Sequence, residues 1–255
     1  MQTLAWPDTL RLMLTEAAAA KYQWLRAGNE AFPAMLAAID AAQSSVCLET
    51  YTYAAGSLGE RVREALVRAQ GRGARVRVLY DALGSRGLPG TFWQPLQAAG
   101  GEVRQFNPLA VNRLGIRDHR KLLVCDERVA FVGGFNIAPE YEGDGVTSGW
   151  RDLGLRIEGL LAAELVAAFE EMFERADFQH RHFLRLRKST ARKTVRTPSE
   201  QLLLSGFPDR VTGETPDRFD ACFAAFSLFS ETLRHFECME AVGVERAVAH
   251  GDDFI

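Results

Sequence analysis

The sequence predicts an α/β protein, a mixed sheet flanked by helices, with one complete domain and a partial C-terminal segment after it. Three observations predict this. Strand and helix signals alternate from about residue 30 to residue 176, the cadence of a central sheet with helices packed on it. From residue 121 two strand signals follow each other across a tight turn, so the sheet is not purely of the strand–helix–strand kind. The pattern then stops after Ala176, and residues 200–255 show no comparable order.

Each element has its own signal. Over residues 30–42, Phe32, Met35, Leu36 and Ile39 recur at helical spacing. Residues 45–53 are rich in β-branched and aromatic side chains and predict a strand. Ser57 is a candidate cap for a helix reaching about Gln70, with Leu58, Val62, Ala65 and Leu66 turned inward. Gly71-Arg72-Gly73 breaks that helix before the alternating strand 76–80. A short helix carrying Phe92, Trp93 and Leu96 ends at Gly100-Gly101, and the strand 103–106 follows. Strands are expected at 121–125 and 129–132, joined by the turn Asp126-Glu127-Arg128, then at 152–157. An amphipathic helix over 160–176 closes the unit. The domain is therefore set at 1–180, a basic linker at 181–199 (Arg181, Arg185, Arg187, Lys188, Arg192, Lys193, Arg196), and an atypical segment at 200–255 with a strand at 201–204.

Composition narrows the function classes. The net charge of −3 supplies no global field for nucleic acid, so any attraction to phosphate is local. No Lys or Arg precedes an apolar run at the N-terminus, which argues against a secretory signal, and no window is apolar enough to span a membrane. Cys47, Cys125, Cys222 and Cys238 form no CxxC pair, and no His, Cys or carboxylate cluster has zinc spacing. The expectation is a cytosolic protein with neither a metal nor another cofactor.

The chemistry gathers at His119-Arg120-Lys121 and Asp126. On an extended chain His119 and Lys121 share one face. An imidazole titrating near neutrality serves as nucleophile or proton donor, and an ammonium beside it neutralises a phosphate oxygen as charge develops. Phe131-Val132-Gly133-Gly134-Phe135-Asn136 ends a strand in paired glycines, which let the backbone approach a ligand closely, followed by an amide able to bind a phosphate oxygen. A loop then leads to Trp150-Arg151-Asp152, where a carboxylate can hold the second imidazole nitrogen. Asp126 lies at a turn, where aspartate favours bonds to nearby backbone.

These motifs resemble the phospholipase D superfamily, and within it the N-terminal half of bacterial cardiolipin synthases. The similarity also takes in Gly28-Asn29-Glu30, Leu48-Glu49-Thr50-Tyr51, Tyr80-Asp81 with Gly84-Ser85, and Phe106-Asn107-Pro108. It implies a phospholipase D-like fold and phosphatidyl transfer in which His119 attacks phosphorus. Lys121, Asn136 and Gly134 would face the phosphoryl group, Asp152 would orient His119, and Asp126 would be structural. It implies phospholipid substrates and peripheral contact with the inner face of the cell membrane; nucleic acid is disfavoured.

One departure matters. Family members set two such motifs face to face, yet His180, His182, His235 and His250 all lack a lysine two residues on. The site is then completed by a homodimer or by a missing half. The alternatives are a non-catalytic half, and a homodimeric phosphodiesterase or nuclease.

Overall fold

The computed structural model describes residues 21–108, 117–176, 192–196 and 201–205. Seven strands form one mixed sheet: β1 (Lys21–Leu25), β2 (Ser45–Thr50), β3 (Arg75–Asp81), β4 (Glu102–Phe106), β5 (Leu122–Cys125), β6 (Val129–Gly133) and β7 (Gly154–Glu158). Their order across the sheet is β1-β7-β6-β5-β2-β3-β4. Strands β2, β3 and β4 pair in parallel, and the other pairings are antiparallel.

Parallel neighbours need a crossover. Helices α2 (Ser57–Gly71) and α3 (Gln94–Ala98) supply the two, and α1 (Gly28–Ala41) precedes β2. These three helices share one core with Val46, Leu48, Val76, Val78, Leu123 and Phe131 of the sheet. The alternate residues Cys47, Leu79, Leu122, Val124 and Leu155 face the other way, onto α4 (Leu160–Arg175). Alternation along each strand thus feeds two cores. On α4 the apolar stripe is Leu161, Leu165, Phe169, Met172 and Phe173, all buried. A leucine such as Leu66 or Leu165 contributes roughly 2 kcal/mol when fully removed from water.

Several expectations shift. Strand β1, an edge strand of five residues, was not among the expected elements. Ser57 is the first residue of α2 and not its cap; Gly56 holds that place, with no side-chain cap bond. The strand expected over 45–53 ends at Thr50, and Tyr53 makes an isolated bridge to Ile137. Phe92 and Trp93 precede α3, buried against Tyr53. Strand β7 begins at Gly154, so Asp152 lies in the approach to it. Within the stretch expected as a basic linker, β8 (Arg192–Arg196) pairs antiparallel with β9 (Gln201–Ser205). The rest of residues 181–199, and residues 206–255, lie outside the described residues.

The β5–β6 hairpin turns on Asp126 and Glu127, with φ of 53° and 57°. Positive φ at both central residues matches the right-handed twist of a hairpin, and aspartate tolerates it better than most. The Asp126 carboxylate then reaches the α1–β2 connection and accepts from the N–H groups of Gln43, Ser44 and Ser45 and from Ser44 Oγ. Its partners are therefore 81 to 83 residues away, not the local backbone of the turn. Partial burial pushes its pKa up, but the donors from Ser45, Gln43 and Ser44 outweigh this and hold the carboxyl below the usual aspartate value. Asp126→Ala should lower stability by about 2 kcal/mol, the scale for hydrogen bonds to a charged group, read from denaturant unfolding. Because the folded pKa is depressed, that contribution is present at neutral pH and fades as pH falls through the folded value.

Candidate active site

Three segments carrying sequence-predicted residues, and a fourth carrying Tyr51, meet at one end of the sheet, whereas Asp126 follows β5 at its other end. Strand register fixes the meeting: Glu49 pairs with Leu122, Leu122 with Val132, and Gly133 with Gly154. The residues just beyond these rungs are Tyr51, His119 to Lys121, Gly134 to Asn136, and Asp152. This is also the carboxyl end of the parallel strands β2 and β3, where open α/β sheets place ligands.

His119 and Lys121 precede β5 rather than lying within it. They nonetheless face a common ring. Tyr51 stacks on the His119 imidazole with centroids 3.8 Å apart and an interplanar angle of 20°. Lys121 Nζ lies 5.4 Å from the Tyr51 centroid and donates to the His119 carbonyl at 2.7 Å.

Arg120, between them, points the opposite way. Its guanidinium donates to Glu49 Oε2 at 2.8 Å, and Glu49 is wholly buried. Asp118 and Arg117 are buried too. The Asp118 N–H donates to Asp81 Oδ2 at 2.9 Å, and Arg117 reaches Asp81 Oδ1 and the Asn107 carbonyl. Asp81 also accepts from the N–H groups of Leu83 and Gly84. Burial pushes its carboxyl up, and the Asp118 and Gly84 donors and the Arg117 charge oppose that. Alternate residues of one short segment therefore serve opposite purposes: Asp118 and Arg120 anchor it, and His119 and Lys121 are presented.

Gly134 is where a close approach is needed, and what approaches is Asp152. A Cβ at Gly134 would lie 1.9 Å from Asp152 Oδ1. Gly133 has φ of 148°, and a Cβ there would meet the Leu153 carbonyl at 2.4 Å. The Asp152 carboxyl accepts from the Leu153 N–H at 2.7 Å. Burial raises its pKa; the Leu153 N–H and the Lys121 charge pull it back, which places Asp152 within electrostatic reach of Lys121. Asn136 is buried, with Oδ1 accepting from the Thr52 N–H at 2.9 Å and Nδ2 donating to the Tyr141 hydroxyl at 2.8 Å. A cavity beside Lys121 is lined by Leu48, Thr50, Met35, Phe131 and Phe135 and measures about 20 Å³. That holds about one water.

Residues 35–176 match the family described as the cardiolipin synthase, phospholipase D-like domain, more than half of the chain. The chain belongs to this family. It is 37% identical to the major cardiolipin synthase of Bacillus subtilis over 158 residues, which is 60% of this chain and 33% of that protein. It is 40% identical to a cardiolipin synthase of Listeria monocytogenes over 137 residues, 52% of this chain and 28% of that one. The phospholipase D-like match thus spans about a third of the relatives' length. Phosphatidylserine synthase of Haemophilus influenzae shares the fold, with a TM-score of 0.51 and 16% identity over 66% of this chain and 41% of that one. Among the described residues, no group of three or more His, Cys, Asp or Glu is placed to hold a metal ion, and no helix is long and apolar enough to cross a membrane.

Sequence reasoning missed the roles of Tyr51, Asp81, Asp118 and Arg120 as supports of this phospholipase D-like site. One signal was available. Glu49 interrupts the buried run Val46-Cys47-Leu48, and a carboxylate in such a strand needs a partner.

Proposed function

We propose that this chain carries one catalytic half of a phosphatidyltransferase of the cardiolipin synthase type. The observation that supports it best is the delivery of His119 and Lys121 to one ring, Tyr51, at the carboxyl end of the sheet. In this reading His119 attacks phosphorus and displaces the alcohol of the donor lipid, forming a phosphohistidine. The hydroxyl of a second lipid then attacks that phosphorus and releases His119. Lys121 leaves the His119 carbonyl for a phosphoryl oxygen, and the second hydrogen of the Asn136 amide donates to another. Asp152 holds the imidazole in the tautomer that attacks. Asp126 acts through the fold.

A second histidine must protonate the leaving alcohol. We assign it to a partner, either a second copy of this chain or a half that carries its own motif. Contact with the bilayer is peripheral, at its cytoplasmic face.

The test is to incubate the full chain with vesicles of labelled phosphatidylglycerol, resolve the lipid products, and measure the mass of the protein in solution. A product bearing two phosphatidyl groups, made by a dimer, is the expected result. A confirmed dimer that makes neither that lipid nor a hydrolysis product would reject the reading; an inert monomer would mark the chain as a half that needs a different partner.

Gly134→Ala tests the Asp152 assignment in the same assay. The new methyl group must displace a carboxylate tip, which is mobile, so the penalty falls on placement more than on folding. Turnover should drop on the order of 100-fold while the melting temperature changes little.

A further inference from the structure

We infer that Glu49 and Asp118 share a single proton, and that this carboxylic acid–carboxylate pair is the clamp that positions the His119 segment. The inference rests on the function proposed above only for what that segment does.

The oxygens themselves point to it. Glu49 Oε2 accepts from Arg120, and Asp118 Oδ1 accepts from the Arg120 N–H at 3.1 Å. The other two oxygens, Glu49 Oε1 and Asp118 Oδ2, are buried and meet no donor among the described residues. The two side chains are within hydrogen-bonding reach of each other. Two ionised carboxylates this close would repel, and their buried oxygens without a donor would each bear the full desolvation penalty. One proton between them removes both costs, since a protonated carboxyl donates to a carboxylate.

Charge leads to the same place. Among the described residues, the charged groups bonded to the pair and its segment are Asp81 from β3, and Arg117 and Arg120 from the segment that carries Asp118. Arg77, also on β3, is engaged by Glu170 of α4. Among the described residues that pair here, three carboxylates, Glu49, Asp81 and Asp118, stand against two guanidinium groups, Arg117 and Arg120. One proton makes this buried cluster neutral. Burial is the main cause that holds the Glu49 carboxyl well above the usual glutamate range, with Arg120 opposing and Asp118 reinforcing it.

The sign of the pH effect follows. A folded-state pKa raised above the unfolded one gives stability that is complete below about pH 4, the ordinary glutamate range, and is lost as pH rises through the folded value. Across that window the folding equilibrium should lose up to tenfold per pH unit. Glu49→Gln and Asp118→Asn each replace the shared proton by an amide hydrogen. Both should flatten the fall of melting temperature with pH relative to wild type.

The experiment is run on the full chain. Infrared spectra at neutral pH should show the carbonyl stretch of a protonated carboxylic acid, shifted by isotope labelling of glutamate and aspartate and absent from both amide variants. Asp118→Asn should retain most turnover, whereas Asp118→Ala should lose most of it. An unlabelled-position band that survives in both variants, or no band together with an unchanged pH slope, overturns the inference. Should neither variant fold, the labelled wild-type spectrum decides. An inactive protein with the band defeats the functional proposal alone, and an active protein without it defeats this one alone.

Discussion

His119→Ala should abolish turnover while leaving the fold intact. The side chain is presented at the end of the sheet and stacks on Tyr51, and the segment is held by Asp118 and Arg120 instead. Its removal therefore leaves the anchoring untouched. The covalent step has no substitute in Lys121, whose ammonium is charged and donates to a carbonyl. The loss should be in the maximal rate, with substrate affinity retained. The direct check is to mix wild-type protein with a phosphodiester, quench in base, and find phosphate on His119 by mass spectrometry. Base is needed because phosphohistidine is labile in acid. An active wild type without the adduct, combined with an active alanine variant, would refute the covalent mechanism.

Lys121→Ala should rank second, with a loss of about 3 to 4 kcal/mol in transition-state stabilisation, or on the order of several hundredfold in rate. Its ammonium is the positive charge set beside both His119 and Asp152. The variant should also show a second, independent effect. Lys121 lowers the Asp152 pKa against the pull of burial, so without it that pKa should rise. Any limb of the rate profile that depends on ionised Asp152 should move to higher pH. A rate loss with an unmoved profile would separate Lys121 from Asp152.

The sheet and its helices were legible wherever a run was long and periodic. The stripes Leu58-Val62-Ala65-Leu66 and Leu161-Leu165-Phe169 are both of this kind, and both became buried faces. Two short elements were missed or misplaced, although the edge strand β4 was expected at 103–106. Strand β1 has five residues and depends on pairing with β7 for its existence, and the helix expected to contain Phe92 and Trp93 begins only at Gln94. In the candidate site, the presented residues were visible as a local motif. The supports were not, because each is a long-range contact: Arg120 to Glu49 spans 71 residues and Asp118 to Asp81 spans 37. No local spacing encodes such a pairing. Gly134 was read as open backbone for a ligand, and only the folded chain shows the Asp152 carboxylate in that space.

The stacking of Tyr51 on His119 has a stereochemical consequence. A nitrogen lone pair lies in the plane of the imidazole, and the phenol ring covers one face of that plane at 3.8 Å. Donor phosphorus must therefore arrive along a line nearly parallel to the tyrosine ring. In the proposed function the leaving alcohol departs opposite that nitrogen, and the incoming hydroxyl must return along the same line. One corridor then serves exit and entry, so the two lipids take turns. Each passage inverts the phosphorus, and a chiral phosphorothioate donor should emerge with its original hand.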